Sequence, residues 1–117
     1  ILQRVTANGH YVSGTGQEDT PSPPNHSIGG ASRDVLWIAA VMSNEDNLAT
    51  APPSGYSGFI AKQGSGDANG RPSTALAYKT AAGTSENPGS FTVSAAAAAW
   101  TIAVYQRVRK VRAGGTI

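Results

Sequence analysis

The sequence predicts an all-β protein: one antiparallel β-sandwich domain spanning 1–117, of jelly-roll or Ig-like Greek-key type. Three observations carry this. The run Asp34-Val-Leu-Trp-Ile-Ala-Ala-Val-Met42 has no polar residue between Asp34 and Ser43. It has strand length and no solvent-facing side, so as a strand it is expected to be buried on both faces. Other strand-like segments recur at intervals of roughly 10–18 residues, with turn chemistry between them. Fourteen Gly and seven Pro suit short strands and turns, and no strand–helix alternation argues for a parallel sheet.

Residues 1–12 read as a first strand, with Leu2, Arg4 and Thr6 alternating with Gln3, Val5 and Ala7. Asn8-Gly9 interrupts it, because both residues tolerate positive φ, and predicts either a tight hairpin or a bulge in a longer strand. Residues 13–33 are rich in Pro, Gly and Ser and predict a long surface loop, or an arm that reaches a neighbour. Pro21, Pro23 and Pro24 deny ladder donors there and make this stretch a candidate partner contact. Val35–Met42 is the best strand, and Ser43-Asn-Glu-Asp-Asn47 a polar loop. Pro52-Pro-Ser-Gly-Tyr56 is a rigid turn that launches a strand over Tyr56–Gln63. Gly64–Gly70 is an exposed connection, and Ser73–Thr80 a further strand that puts Tyr78 and Lys79 on opposite faces. Ala82–Gly89 is a loop, and Ser90-Phe-Thr-Val-Ser94 a short alternating strand. Ala95–Ala99 has high helix propensity but is too short for an isolated helix, so a turn or the start of the next strand is preferred. Trp100–Val108 is the last strand. Val35–Met42 and Thr101–Tyr105 are expected in central positions, with Trp37 and Trp100 in the core and Tyr11 and Tyr56 as the exposed aromatics.

A chain of 117 residues buries roughly two thirds of its unfolded surface, enough for one core. The absence of Cys excludes disulfides and thiolate metal sites. Charged residues are only 14%, which suits a domain packed into an assembly as well as a plain β protein with an uncharged surface. The start, Ile1-Leu-Gln-Arg-Val5, lacks the basic and apolar regions of a signal peptide, and no run of about 18 apolar residues would cross a membrane, so no membrane partner is expected. A first residue of Ile rather than Met fits a processed chain, a trimmed one or a piece of a larger product. The formal charge of +2 hides an asymmetry. Arg107, Arg109, Lys110 and Arg112 fall together, leaving five basic against seven acidic residues elsewhere. This run reads first as a solvated strand edge that discourages sheet pairing, second as a protein-partner contact, and last as a phosphate-binding patch, for which it lacks interleaved aromatics.

Catalytic groupings are hard to assemble from this sequence. Serines are plentiful, but the only histidines are His10, at a strand end, and His26, in a loop and expected to be solvated. Glu18-Asp19 and Glu45-Asp46 are adjacent loop pairs and make no natural acid–base couple. Asp67-Ala-Asn69-Gly70 matches a fragment of a calcium loop, but position 65 is Ser and the next Glu is Glu86. Gly64-Ser-Gly66 lacks the Lys and helix of a phosphate cradle. No enzyme activity, cofactor or metal is expected.

Asp34-Val-Leu-Trp-Ile-Ala-Ala-Val41, Pro53-Ser-Gly-Tyr-Ser-Gly-Phe-Ile-Ala61, Ala75-Leu-Ala-Tyr-Lys-Thr-Ala81, Phe91-Thr-Val-Ser94 and Trp100-Thr-Ile-Ala-Val-Tyr105 follow one another in an order that resembles a β-sandwich family of tailed bacteriophages. That family occurs as small accessory virion proteins and within tail-fibre or tail-tip chains. The resemblance covers about residues 34–106, with Tyr56 where Trp is common and a basic rather than polar C-terminal continuation. It implies a non-enzymatic virion structural protein, a capsid decoration subunit or small tail or fibre domain. It also implies other capsid or tail proteins as partners and homo-oligomers on the particle, with nucleic acid the least favoured partner and no catalytic residues to carry over. The alternative is a carbohydrate- or receptor-binding β-sandwich on a phage fibre or a secreted protein, which needs aromatics exposed on one face or loop.

Overall fold

The computed structural model describes residues 3–11, 21–43, 48–65, 71–93 and 97–106. All their regular structure is β: β1 (Gln3–Tyr11), β2 (His26–Ser27), β3 (Arg33–Ser43), β4 (Ser57–Gln63), β5 (Ser73–Gly83), β6 (Ser85–Glu86) and β7 (Ala97–Gln106). Five strands form one antiparallel sheet in the order β1-β7-β3-β5-β4, and β2 pairs with β6 in a small separate ribbon. The apolar run of β3 takes the centre and β7 lies beside it, as their composition predicts. The Ala-rich stretch enters β7 from Ala97 onward as strand. Asn8-Gly9 makes neither hairpin nor bulge: β1 runs straight through it in unbroken register with β7, Asn8 opposite Thr101 and Gly9 opposite Trp100.

One face of the sheet is covered. Val35, Trp37, Ala39 and Val41 of β3 point into it, with Ala75 and Ala77 of β5 and Ala99, Thr101, Ala103 and Tyr105 of β7, all buried. The alanines form a low floor, which lets bulky groups from above, above all Phe91 and Tyr56, come down onto the sheet beside Trp37. The cover consists of three segments, 21–32, 48–56 and 84–93, that also hold one another. Phe91 N–H donates to the Pro21 carbonyl at 3.0 Å, Thr92 N–H to Ala51 at 3.0 Å, Thr50 N–H to Thr92 at 2.9 Å and Ile28 N–H to Thr84 at 2.8 Å.

Among the described residues the paired strands of this cover are β2 and β6, a two-stranded ribbon rather than the broad second sheet of the expected sandwich. Six of the seven prolines, Pro21, Pro23, Pro24, Pro52, Pro53 and Pro88, lie in it, and proline supplies no ladder donor. Phe91 and Val93 are buried and Thr92 exposed, so the predicted alternation of Ser90–Ser94 holds, but Thr92 makes only an isolated bridge with Ala51. The same prolines explain why 21–25 packs on its own domain rather than reaching out as an arm. An irregular segment laid on an apolar face normally strands its N–H groups, and Pro21, Pro23 and Pro24 have none. Pro21 and Pro23 are fully buried in the chain itself, which removes both as exposed partner contacts. Pro24 is half-buried and its carbonyl accepts from the Thr101 hydroxyl.

Candidate interaction surface

The second face of the same sheet is uncovered by the described residues. Because directly paired residues share a face, the registers define its rows. Val5, Val104, Leu36 and Thr80 form one row. Ala7, Ile102, Ile38 and Tyr78 form the next, and Gly9, Trp100, Ala40, Leu76 and Ile60 the third. Val5 is 64% exposed, Ile60 53%, Tyr78 45% and Leu76 38%, while Leu36, Ile38, Trp100, Ile102 and Val104 are half-buried. The expectation that the β3 run is buried on both faces is therefore half met within one chain. Val35, Trp37, Ala39 and Val41 are covered, whereas Met42 on the opposite side is 52% exposed.

Two glycines shape this face. The Trp100 indole lies over Gly9, where an added Cβ would stand 2.2 Å from the Trp100 Cδ1. The Tyr78 ring lies over Gly58, where an added Cβ would stand 2.1 Å from the Tyr78 Cε1. Gly58 also has φ +62° and marks the register shift in β4 between Ser57 and Ile60, a bulge that disrupts pairing at this edge of the sheet. Both aromatic rings thus lie along the sheet. Among the described residues charge is confined to the ends of the face: Asp34, opposite Ala82, at one end and Lys62, opposite Thr74, at the other, both exposed.

The polar groups on the covered side are taken up in holding the cover. Lys79 Nζ lies 2.6 Å from Glu86 Oε2, and the Tyr56 hydroxyl donates to the same oxygen at 2.8 Å. The Lys79 ammonium also sits 5.4 Å from the Tyr56 ring centroid. Burial first, then the hydrogen bond to Glu86 and the charge of that carboxylate, hold the Tyr56 hydroxyl proton well above the ordinary phenol range. His26 Nε2 is 2.7 Å from the Thr6 hydroxyl and its ring meets Trp37 edge-on at 6.4 Å. Desolvation pushes its pKa below the ordinary 6.5. At the end of the sheet Arg33 donates to Gly29 at 2.7 Å and Ala31 at 3.0 Å, and stacks 5.1 Å from the Tyr105 ring centroid.

Several sequence expectations change accordingly. Tyr56 is not an exposed aromatic: it is 8% exposed, because the turn at Pro53 aims it down at β5 and Glu86. His26 is not a solvated loop residue but part of β2, packed on Trp37. Trp100 is not in the covered core but on the open face, because it falls one residue out of phase with the buried Ala99, Thr101 and Ala103. The side chain of Tyr11, the basic run Arg107, Arg109, Lys110 and Arg112, and the calcium-loop fragment Asp67–Gly70 lie outside the described residues. Among the described residues no group of three His, Asp or Glu side chains could hold a metal ion, and no helix is long and apolar enough to cross a membrane. Comparison with protein-family models, curated proteins and solved structures finds no match to this chain.

Proposed function

We propose that this chain is a non-enzymatic structural protein of a tailed-phage virion, a capsid decoration subunit or a small tail or fibre domain, that works through protein–protein contacts. The open sheet face is the observation that carries the reading. Three rows across five strands amount to an apolar area on the order of 500 Å², at the upper end of what a monomeric protein leaves in water and typical of contact sites. The order of motifs over residues 34–106 supplies the virion context by resemblance. Support for the non-enzymatic part comes from the candidate acid–base groups: His26 is engaged with Thr6, and Glu86 with Lys79 and Tyr56. The basic run Arg107–Arg112 offers a second contact, toward acidic surface on the particle.

The same face supports a second reading, a sugar-binding platform, because Trp100 and Tyr78 lie along it over glycines. One experiment separates the two. The full chain is added to phage particles lacking it, and in parallel to a glycan panel with iodide quenching of Trp100 fluorescence as readout. Saturable attachment to particles, weakened by charge reversal at Arg107, Arg109 and Arg112, is the expected result. Failure to bind any particle overturns the virion reading, and glycan-dependent protection of Trp100 establishes the alternative.

A further inference from the structure

We propose that the open face is closed by a second copy of this chain, stacked face to face about a twofold axis that lies between the two sheets and runs across the strands. The assignment rests on reading this face as a protein contact surface. It yields a sandwich of two five-stranded sheets, the architecture the sequence predicts, completed between two chains instead of within one.

Size is the first argument. The whole face, with its polar end rows, measures roughly 800 Å² from strand and residue spacing, which is the share each partner contributes to an interface of standard size. The flat lie of Trp100 and Tyr78 suits sheets stacked about 10 Å apart.

Charge selects the orientation. Asp34 and Lys62 are the charged residues of the face among those described, they sit at opposite ends, and neither has an ion-pair partner among the described residues. An axis running along the strands would lay like ends together and bring the two Asp34 side chains to the same end. An axis across the strands lays the Lys62 end of each copy over the Asp34 end of the other. The two groups are then two strands apart laterally, about 10 Å before their side chains reach toward each other, close enough to attract in a partly desolvated rim.

Shape agrees with the same axis. Centred on the row of Ile38 and Ile102, it lays the third apolar row over the first. Trp100 then faces Val104 of the second copy, Ala40 faces Leu36, Leu76 faces Thr80 and Gly9 faces Val5, so that each pair joins a larger and a smaller side chain. Interdigitation of this kind is what close packing between sheets requires. The interface is isologous and closes on itself, so it makes a dimer rather than a fibre.

The test is sedimentation of the full chain over a concentration series, with circular dichroism confirming the fold of each variant. The wild-type chain should be a dimer. Ile102→Lys, and independently Leu76→Lys at a more exposed position, should raise the dimer dissociation constant by ~100-fold or more, since each buries an unpaired charge at the contact. Asp34→Lys and Lys62→Asp should each weaken the dimer by about tenfold, and the double exchange should restore it. A wild-type chain that stays monomeric overturns the proposal, as does a dimer that survives both lysine substitutions, which would point to edge pairing through β1. The absence of rescue in the double exchange overturns the orientation. A monomer that still attaches to particles refutes the twofold pairing and leaves the virion reading intact; a dimer that attaches to none does the reverse.

Discussion

Trp37 on β3 and Trp100 on the neighbouring β7 lie on opposite sides of one sheet. Trp37 is 1% exposed beneath Phe91, Tyr56 and the proline segments, whereas Trp100 lies half-buried over Gly9 with nothing described above it. Their neighbours in sequence are almost equally apolar: Leu36 and Ile38 flank one, Thr101 and Ile102 follow the other. The difference lies in what the rest of the chain can place on each side. The loops at 21–32, 48–56 and 84–93 all fold onto the face of Trp37 and hold one another there. Among the described residues no segment lies over the face of Trp100. Local hydrophobicity therefore sets how much a strand gains from burial, while the connections determine which side is buried first.

The largest effect separates the two tryptophans directly. Trp37→Ala should cost about 3–5 kcal/mol, close to the whole stability of an ordinary domain. Trp100→Ala, measured by urea unfolding of dilute chain, should cost roughly 1 kcal/mol, in line with its partial burial. Equal losses would show that the open face is as well packed as the covered one and would abolish the contrast.

The next effect tests what fastens the cover. Tyr56→Phe removes a hydrogen bond to a carboxylate and should cost about 1.5–3 kcal/mol at neutral pH. It should also change the alkaline limb of the stability curve. The folded state holds the Tyr56 proton more tightly than the unfolded state does. The resulting stabilisation is complete below the unfolded phenol value of about 10 and is lost as pH rises above it toward the higher folded value. The parent should therefore lose stability more steeply than Tyr56→Phe above about pH 10. Parallel curves would mean that the Tyr56 hydroxyl contributes nothing to closing this face.

The smallest effect concerns the flatness of the open side. Gly58→Ala should cost about 1–2 kcal/mol, because position 58 has φ +62° as well as the Tyr78 ring against it. Gly9→Ala should cost less, since Gly9 has no positive φ and the Trp100 ring can lift away into the open. A red shift of Trp100 emission in Gly9→Ala with little change in melting temperature would confirm that ranking. A larger loss at Gly9 than at Gly58 would mean that Trp100 is held from above.

Much of the fold was legible in the residues. The unbroken run of β3, the Pro-Ser-Gly turn before β4, the alternation in β5 and the strand from Trp100 to Tyr105 are all readable, because period-two patterning and turn chemistry are local properties. For 21–25 the sequence leaves loop and arm open, because its prolines say only that it cannot join a sheet; that it lies on its own domain depends on the alanine floor of β3, β5 and β7 far along the chain. Tyr56 is buried rather than exposed for the same kind of reason. Its partner Glu86 is thirty residues away, and nothing near position 56 announces it. The candidate surface was hidden because Trp100, Ile102, Leu76 and Tyr78 look in sequence like any core-facing set. The one available signal was the clustering of six of the seven prolines in 21–24, 52–53 and 88, which denies those segments the ladder donors of a broad second sheet.

By itself the sequence determined the all-β class, the central strands and the absence of disulfides and thiolate ligands, since each follows from residue type and short-range spacing. The tertiary structure alone decided that the three proline-bearing segments cover the same side, that His26, Lys79 and Glu86 serve to pin that cover, and that Trp100 and Tyr78 face outward. Both faces of the central strand are apolar enough to be buried, but the covering segments among the described residues all lie on one of them. Which face receives them is set by long-range hydrogen bonds such as those from Thr101 to Pro24 and from Tyr56 to Glu86, which exist only once the sheet has formed.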